Sequence, residues 1–174
     1  LDVLQNYGVG VYCDEAMDIF ESGGAYVDRE KKHVRIPSHL VEDAIRSAPS
    51  TILMAGRSPK YDVTLQGGRV GYTCFGAGVM IVDPYTGEYR ESNKIDVGNT
   101  ALVCDAMDNV DIYSSAVVAR DVDKATDLNE AEAFLTNTLK HCHHIDLTGG
   151  AGAKKFFEMA AAIVGGKDEL RKRP

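Results

Sequence analysis

The sequence predicts an α/β protein, the N-terminal part of a (β/α)8 TIM barrel preceded by a helix and hairpin section. Three observations carry this expectation. From about Gly67 onward, strand-like and helix-like stretches alternate three times with short links, the pattern of parallel strands joined by right-handed crossovers. No GxGxxG, Walker A or other phosphate loop follows any strand-like stretch, which tilts the reading from a doubly wound sheet toward a barrel. The chain has 174 residues, whereas a whole barrel needs about 250. Residues 1–66 are therefore expected to be an N-terminal section packing on the barrel, and 67–174 its first three β/α units, in a chain that is a fragment of a longer one.

The front section reads as follows. Ala16, Ile19 and Phe20 fit a short helix closed by Gly23-Gly24, because glycine accepts the backbone conformation that ends a helix. Ala25–Asp28 and His33–Ile36 flank a charged turn and predict a hairpin. Pro37-Ser38 opens a helix with Ser38 as its expected N-cap. Its positions Leu40, Val41, Ala44, Ile45 and Ala48 share one helical face, and Pro49 ends it. Thr51–Ala55 is a short strand.

In the second section Gly71–Gly76 is strand-like. A hairpin is inserted next, with Val79–Val82 and Glu88–Arg90 around the turn Pro84-Tyr85-Thr86-Gly87. A helix follows, expected to bury Leu102, Val103, Ala106, Met107 and Val110. Asp111–Val118 is the second strand. Asp127 and Glu130 are spaced as a capping box, opening a helix expected to bury Ala131, Phe134, Leu135 and Thr138. Lys140–Asp146 is the third strand. Ala153–Val164 is the third helix, with Phe156, Phe157, Ala160, Ala161 and Val164 on one face and Gly165-Gly166 as its C-terminal stop.

Composition removes several function classes. A net charge of −7 argues against a nucleic-acid surface. No apolar run approaches the length of a membrane span. The four cysteines, Cys13, Cys74, Cys104 and Cys142, are far apart and form no CxxC pair. They read as reduced thiols of a cytoplasmic protein.

Chemistry is expected at the strand ends. His141-Cys142-His143-His144 holds three of the five histidines. Strand alternation puts His141 and His143 on one face and Cys142 and His144 on the other. His141 and His143 could bind zinc or iron with a carboxylate from another strand, as in a metal-dependent hydrolase. They could equally be hydrogen-bonded packing residues near a barrel mouth, or contact a substrate without a metal. Tyr72–Gly78 could form a pocket floor, since three small residues follow Phe75, or simply bend into the hairpin. Cys74 has no base nearby in sequence to make it a nucleophile. Tyr72, Phe75 and Tyr113 could offer aromatic faces to a cationic amine or fill the core. Arg120-Asp121 and Asp146 follow strands directly, where a charged group serves function or a loop ion pair.

Taken together, the chain resembles the trimethylamine methyltransferase family. The resemblance rests on Val34-Arg35-Ile36-Pro37, Ala48-Pro49, Gly56-Arg57, Tyr72–Val79, Ala119-Arg120-Asp121, His141–Asp146 and the stretch from Gly165 to Pro174. It implies a TIM-barrel enzyme that moves a methyl group from a methylated amine to the Co(I) of a cognate corrinoid protein. It implies no resident metal or directly bound cofactor, the corrinoid being carried by the partner. The family's trimethylamine members carry pyrrolysine in a later part of the sequence, and relatives lacking it act on quaternary amines such as glycine betaine. The catalytic residue is thus expected beyond Pro174, and the fragment alone is expected to be inactive. Phe75, Gly76, Ser114, Ser115, Arg120, His143 and His144 are the candidates for lining the substrate site. A homo-oligomer is expected, with no nucleic-acid or membrane partner. A segment that only binds a partner protein is the non-catalytic alternative.

Overall fold

In the computed structural model, which describes residues 1–144 and 147–174, the chain divides into two compact units, Leu1–Ser50 and Thr51–Pro174. The division falls ahead of the sequence-based boundary at residue 66. Strand β5 (Val63–Gln66), which the sequence reading did not mark, forms a hairpin with β4 (Thr51–Met54) inside the second unit. Asp146 lies outside the described residues.

The first unit has a three-stranded antiparallel sheet in the order β1 (Val9–Gly10), β3 (His33–Arg35), β2 (Tyr26–Asp28). Helix α1 (Asp14–Ser22) packs its Met17 with Ala25 and Val34 into a small core. The expected hairpin and both expected helices are present. The N-cap of α2 (Ser38–Ser47) is Pro37, however, and not Ser38. Pro37 has no N–H to donate, and Ser38 directs its amide and hydroxyl to the side chain of Gln5 at 3.0 and 2.6 Å.

The second unit is mixed α/β. Hairpin β6 (Met80–Val82) and β7 (Tyr89–Glu91) leads into α3 (Lys94–Ala106), β8 (Ile112–Ser114), α4 (Thr126–Leu135), β9 (His141–His143), α5 (Gly149–Val164) and α6 (Lys167–Lys172). Strands β8 and β9 are parallel, with Ile112, Tyr113 and Ser114 opposite His141, Cys142 and His143. The stretch expected as the first strand joins them through single parallel bridges, Thr73 to Ile112 and Gly78 to Val117. Three chain segments therefore run side by side in one direction, joined in turn through α3 and α4, as the alternation predicted.

Core packing decides the faces. Cys74, Tyr113 and Cys142 belong to the cluster that also holds Val97, Ala101 and Cys104 of α3 and Ala131, Phe134 and Leu135 of α4. The expected face of α3 is corrected. Leu102, Val103 and Met107 are exposed, while Asp96, Val97, Gly98, Ala101 and Cys104 are buried. The helix has apolar residues on two faces, and the face with small residues admits the closest neighbour. A Cβ on Gly98 would lie 3.1 Å from the Asn137 amide group, so glycine there permits the approach of α3 to α4. Phe157 and Val164, expected on the buried face of α5, are likewise exposed.

The capping boxes also differ. Asn93 and Asp96 form one at the start of α3, a contribution of about 1 kcal/mol. Asp127 and Glu130 do not. Ala125, in the left-handed region at φ 50°, is the N-cap of α4, which moves Asp127 into the helix and turns both carboxylates toward neighbouring segments.

Hairpin β4–β5 lies beneath the N-terminal ends of the parallel segments. The Ala55 carbonyl meets His141 Nδ1 at 3.1 Å, and the Arg57 amide donates to the Leu139 carbonyl at 2.8 Å. Among the described residues no helix is long and apolar enough to cross a membrane.

Candidate functional site

Register places the candidates in rows. Both bridges of the first segment carry the same offset, so Phe75 stands beside Ser114, and Ser114 beside His143. Neighbours in a parallel sheet project to the same side. Cys74, Tyr113 and Cys142 form the row facing the helices. Phe75, Ser114 and His143 form the adjacent row on the helix-free face. Phe75 is 81% exposed, His143 is exposed, and Ser114 lies buried between them. Ser114 Oγ and His143 Nδ1 are 3.4 Å apart, a contact whose donor depends on the imidazole tautomer.

Main-chain bonds hold the row at the C-terminal strand ends. The Ala77 amide donates to the Ser115 carbonyl at 2.8 Å, and the Ser115 amide to the His143 carbonyl at 3.2 Å. Cys74 Sγ donates to the Ser114 carbonyl at 2.9 Å. Gly76 is half-buried beside Ala77, a non-glycine residue at φ 59°. Such a backbone persists only where its surroundings enforce it.

The other candidates sit elsewhere. Ser115 is buried. His144 turns to the helix side, as alternation requires, and packs edge-on between Phe134 and Phe156 at centroid distances of 5.3 and 5.7 Å. Its Nε2 meets the Asp127 carbonyl at 2.7 Å. A carbonyl only accepts, so Nε2 carries the proton. Arg120 pairs with Glu91 of the hairpin at 3.1 Å, and Asp121 accepts from the Lys94 amide at the start of α3. Arg120 and Asp121 are thus committed to separate partners.

The metal expectation gains little from this arrangement. His141 Nδ1 is taken up by the Ala55 carbonyl. Among the described residues no group of three His, Cys, Asp or Glu side chains is placed to hold a metal ion. The Cys104 and Cys142 thiols are poor nucleophiles. Burial pushes Cys142 up to about 12, and burial with the neighbouring Cys74 pushes Cys104 up to about 11. Tyr113, fully buried, rises to about 12 through desolvation. Its hydroxyl donates to the Val97 carbonyl at 3.2 Å, so it is a core residue and not an aromatic face for a ligand.

Two carboxylates missed by the sequence reading organise the strand-end loops. Glu130 accepts from the Ala119 amide at 2.8 Å. Asp127 accepts from the Thr148 amide at 3.0 Å and the Leu128 amide at 2.9 Å. The Thr148 amide above all holds the Asp127 carboxyl below the usual carboxylate range, against the opposing effect of burial. Their sequence signal was ambiguous, because the same spacing also fits a capping box.

A family model described as trimethylamine methyltransferase (MTTB) matches residues 1–174. The chain belongs to the trimethylamine methyltransferase family. Within it, the chain is 48% identical over 175 residues to trimethylamine methyltransferase MttB of Desulfitobacterium hafniense, covering 100% of this chain and 35% of that relative. It is 38% identical over 180 residues to trimethylamine methyltransferase MttB of Methanosarcina thermophila, covering 37% of that protein. A more distant match is the glycine betaine methyltransferase of Desulfitobacterium hafniense, 24% identical over 176 residues. The chain thus spans little more than a third of the length of these family members. Their names do not favour a metal-dependent hydrolase.

Proposed function

We propose that the complete protein transfers a methyl group from trimethylamine, or a related methylated amine, to the Co(I) of a cognate corrinoid protein. The observation that carries this reading is the 48% identity to a trimethylamine methyltransferase along the whole chain. On this account residues 67–174 supply the first three β/α units of a (β/α)8 barrel. The helix-free row of Phe75, Ser114 and His143 then faces the barrel interior at the C-terminal end of the strands, where barrel enzymes hold their substrates.

The partner-borne corrinoid supplies the nucleophile when bound, and the protein's task is binding and orientation. The Phe75 ring offers an apolar, electron-rich face to N-methyl groups. Ser114 and His143 supply a fixed polar pair that orients the amine. Holding the N–CH3 bond in line with the acceptor lowers the entropic part of the barrier. On this reading the catalytic residue lies beyond Pro174.

The test is methyl transfer by the complete protein. Trimethylamine and glycine betaine are offered in turn with cob(I)alamin or the purified corrinoid protein, and methyl–cobalt formation is followed by its visible spectrum. Transfer from trimethylamine is expected, and none from any methylated amine would refute the proposal.

A further inference from the structure

We infer that Asp127 is a positioning residue, which holds His144 and Thr148 at the open strand end so that the Phe75–Ser114–His143 row keeps its geometry. The inference rests on the methyl-transfer reading above. Asp127 bonds to both residues. Its main-chain carbonyl accepts from His144 Nε2 at 2.7 Å, and its Oδ2 accepts from the Thr148 amide at 3.0 Å. The His144 ring is further confined between Phe134 and Phe156. His143, the outermost member of the row, immediately precedes this fixed point, and its own carbonyl is bonded to the Ser115 amide. A movement of His144 is therefore transmitted to His143 through one peptide unit.

The fold contains a matched control at the other end of the same strand. Asp105, in the last turn of α3, accepts from the Leu139 amide and the Thr138 hydroxyl, both at 2.8 Å. It fastens the chain just before β9, as Asp127 fastens it just after. Both aspartates make hydrogen bonds of the same kind, but only Asp127 stands at the end that carries the row. A role confined to stability gives the two substitutions the same consequences. A positioning role separates them.

Gly152 supplies a second perturbation. A Cβ there would come within 2.8 Å of Asp127 Oδ2, displacing the carboxylate without removing it.

The experiment compares Asp127→Asn, Gly152→Ala and Asp105→Asn in the complete protein by amide hydrogen exchange and by methyl-transfer kinetics with trimethylamine. Asp127→Asn and Gly152→Ala should speed exchange at Thr148 by about tenfold or more. They should also change KM or kcat by about tenfold. Asp105→Asn should speed exchange at Leu139 and leave both kinetic constants within about twofold. Unchanged exchange at Thr148, or equal kinetic losses from Asp105→Asn and Asp127→Asn, overturns the inference. A wild-type protein that transfers no methyl group refutes the activity reading instead, and exchange at Thr148 then decides whether Asp127 anchors Thr148.

Discussion

Replacing Lys140 with methionine should loosen the C-terminal turn of α3 without touching the strand-end row. Lys140 is 7% exposed. Its Nζ donates to the carbonyls of Cys104 and Met107, each at 2.7 Å. Both carbonyls lie at a helix end, where each also accepts one main-chain amide, from Met107 and Val110 respectively, and where a cation meets the negative end of the helix dipole. Methionine keeps much of the aliphatic stem and removes both donors. A hydrogen bond to a charged group contributes about 1.5–3 kcal/mol, so the two together would give about 3–6 kcal/mol. Met107 is 50% exposed, and water can replace one bond there, which points to the lower end, about 3 kcal/mol. Since each 1.4 kcal/mol is tenfold, local opening should rise by about a hundredfold. Hydrogen exchange across the last turn of α3 in the complete protein reads this directly. An increase below about threefold would refute the claim that this buried ammonium closes the helix.

Phe134 is fully buried between Tyr113, His144 and Phe156, so Phe134→Ala should cost about 3–5 kcal/mol, measurable by chemical denaturation. The β6–β7 hairpin should be acid-sensitive. The amides of Tyr85 and Thr86, with Arg90, hold Asp83 at about 2. A carboxyl lowered on folding stabilises the fold above its unfolded pKa. That contribution is lost as pH falls from about 4 through about 2. Arg90→Gln should raise the Asp83 titration midpoint seen by carboxyl NMR, whereas an unchanged midpoint would remove Arg90 from the account. Ser114→Ala should reduce methyl transfer by about tenfold or more with little change in thermal unfolding. A proportionate loss of stability would make Ser114 a packing residue only.

The sequence revealed elements wherever one signal dominated. Gly23-Gly24 and Pro49 terminate α1 and α2 as expected, and the Pro84–Gly87 turn joins β6 to β7. Alternation put Cys142 and His144 on the helix side and left His143 exposed, as expected. It failed where signals were degenerate. Helix α3 has apolar residues on two faces, and periodicity selected the bulkier one. The buried face is built from Gly98, Ala101 and Cys104 because it must lie close to α4. Asp127 and Glu130 carry the spacing of a cap. Only the left-handed Ala125 before them shows that their carboxylates reach other segments. The row of Phe75, Ser114 and His143 comes from three stretches far apart in sequence. Its members were individually legible as strand-end residues, but their alignment depends on pairing register.

The central claim is that the helix-free row, and not the helix-facing row beside it, lines the methyl-transfer site. The most direct measurement compares Phe75→Leu and Cys142→Ala in the complete protein, by KM and kcat for trimethylamine. Phe75→Leu removes the aromatic face and should raise KM by about tenfold while leaving unfolding unchanged. Cys142→Ala should lower stability by about 1 kcal/mol and leave KM unchanged. A KM that responds to Cys142→Ala but not to Phe75→Leu would contradict the account.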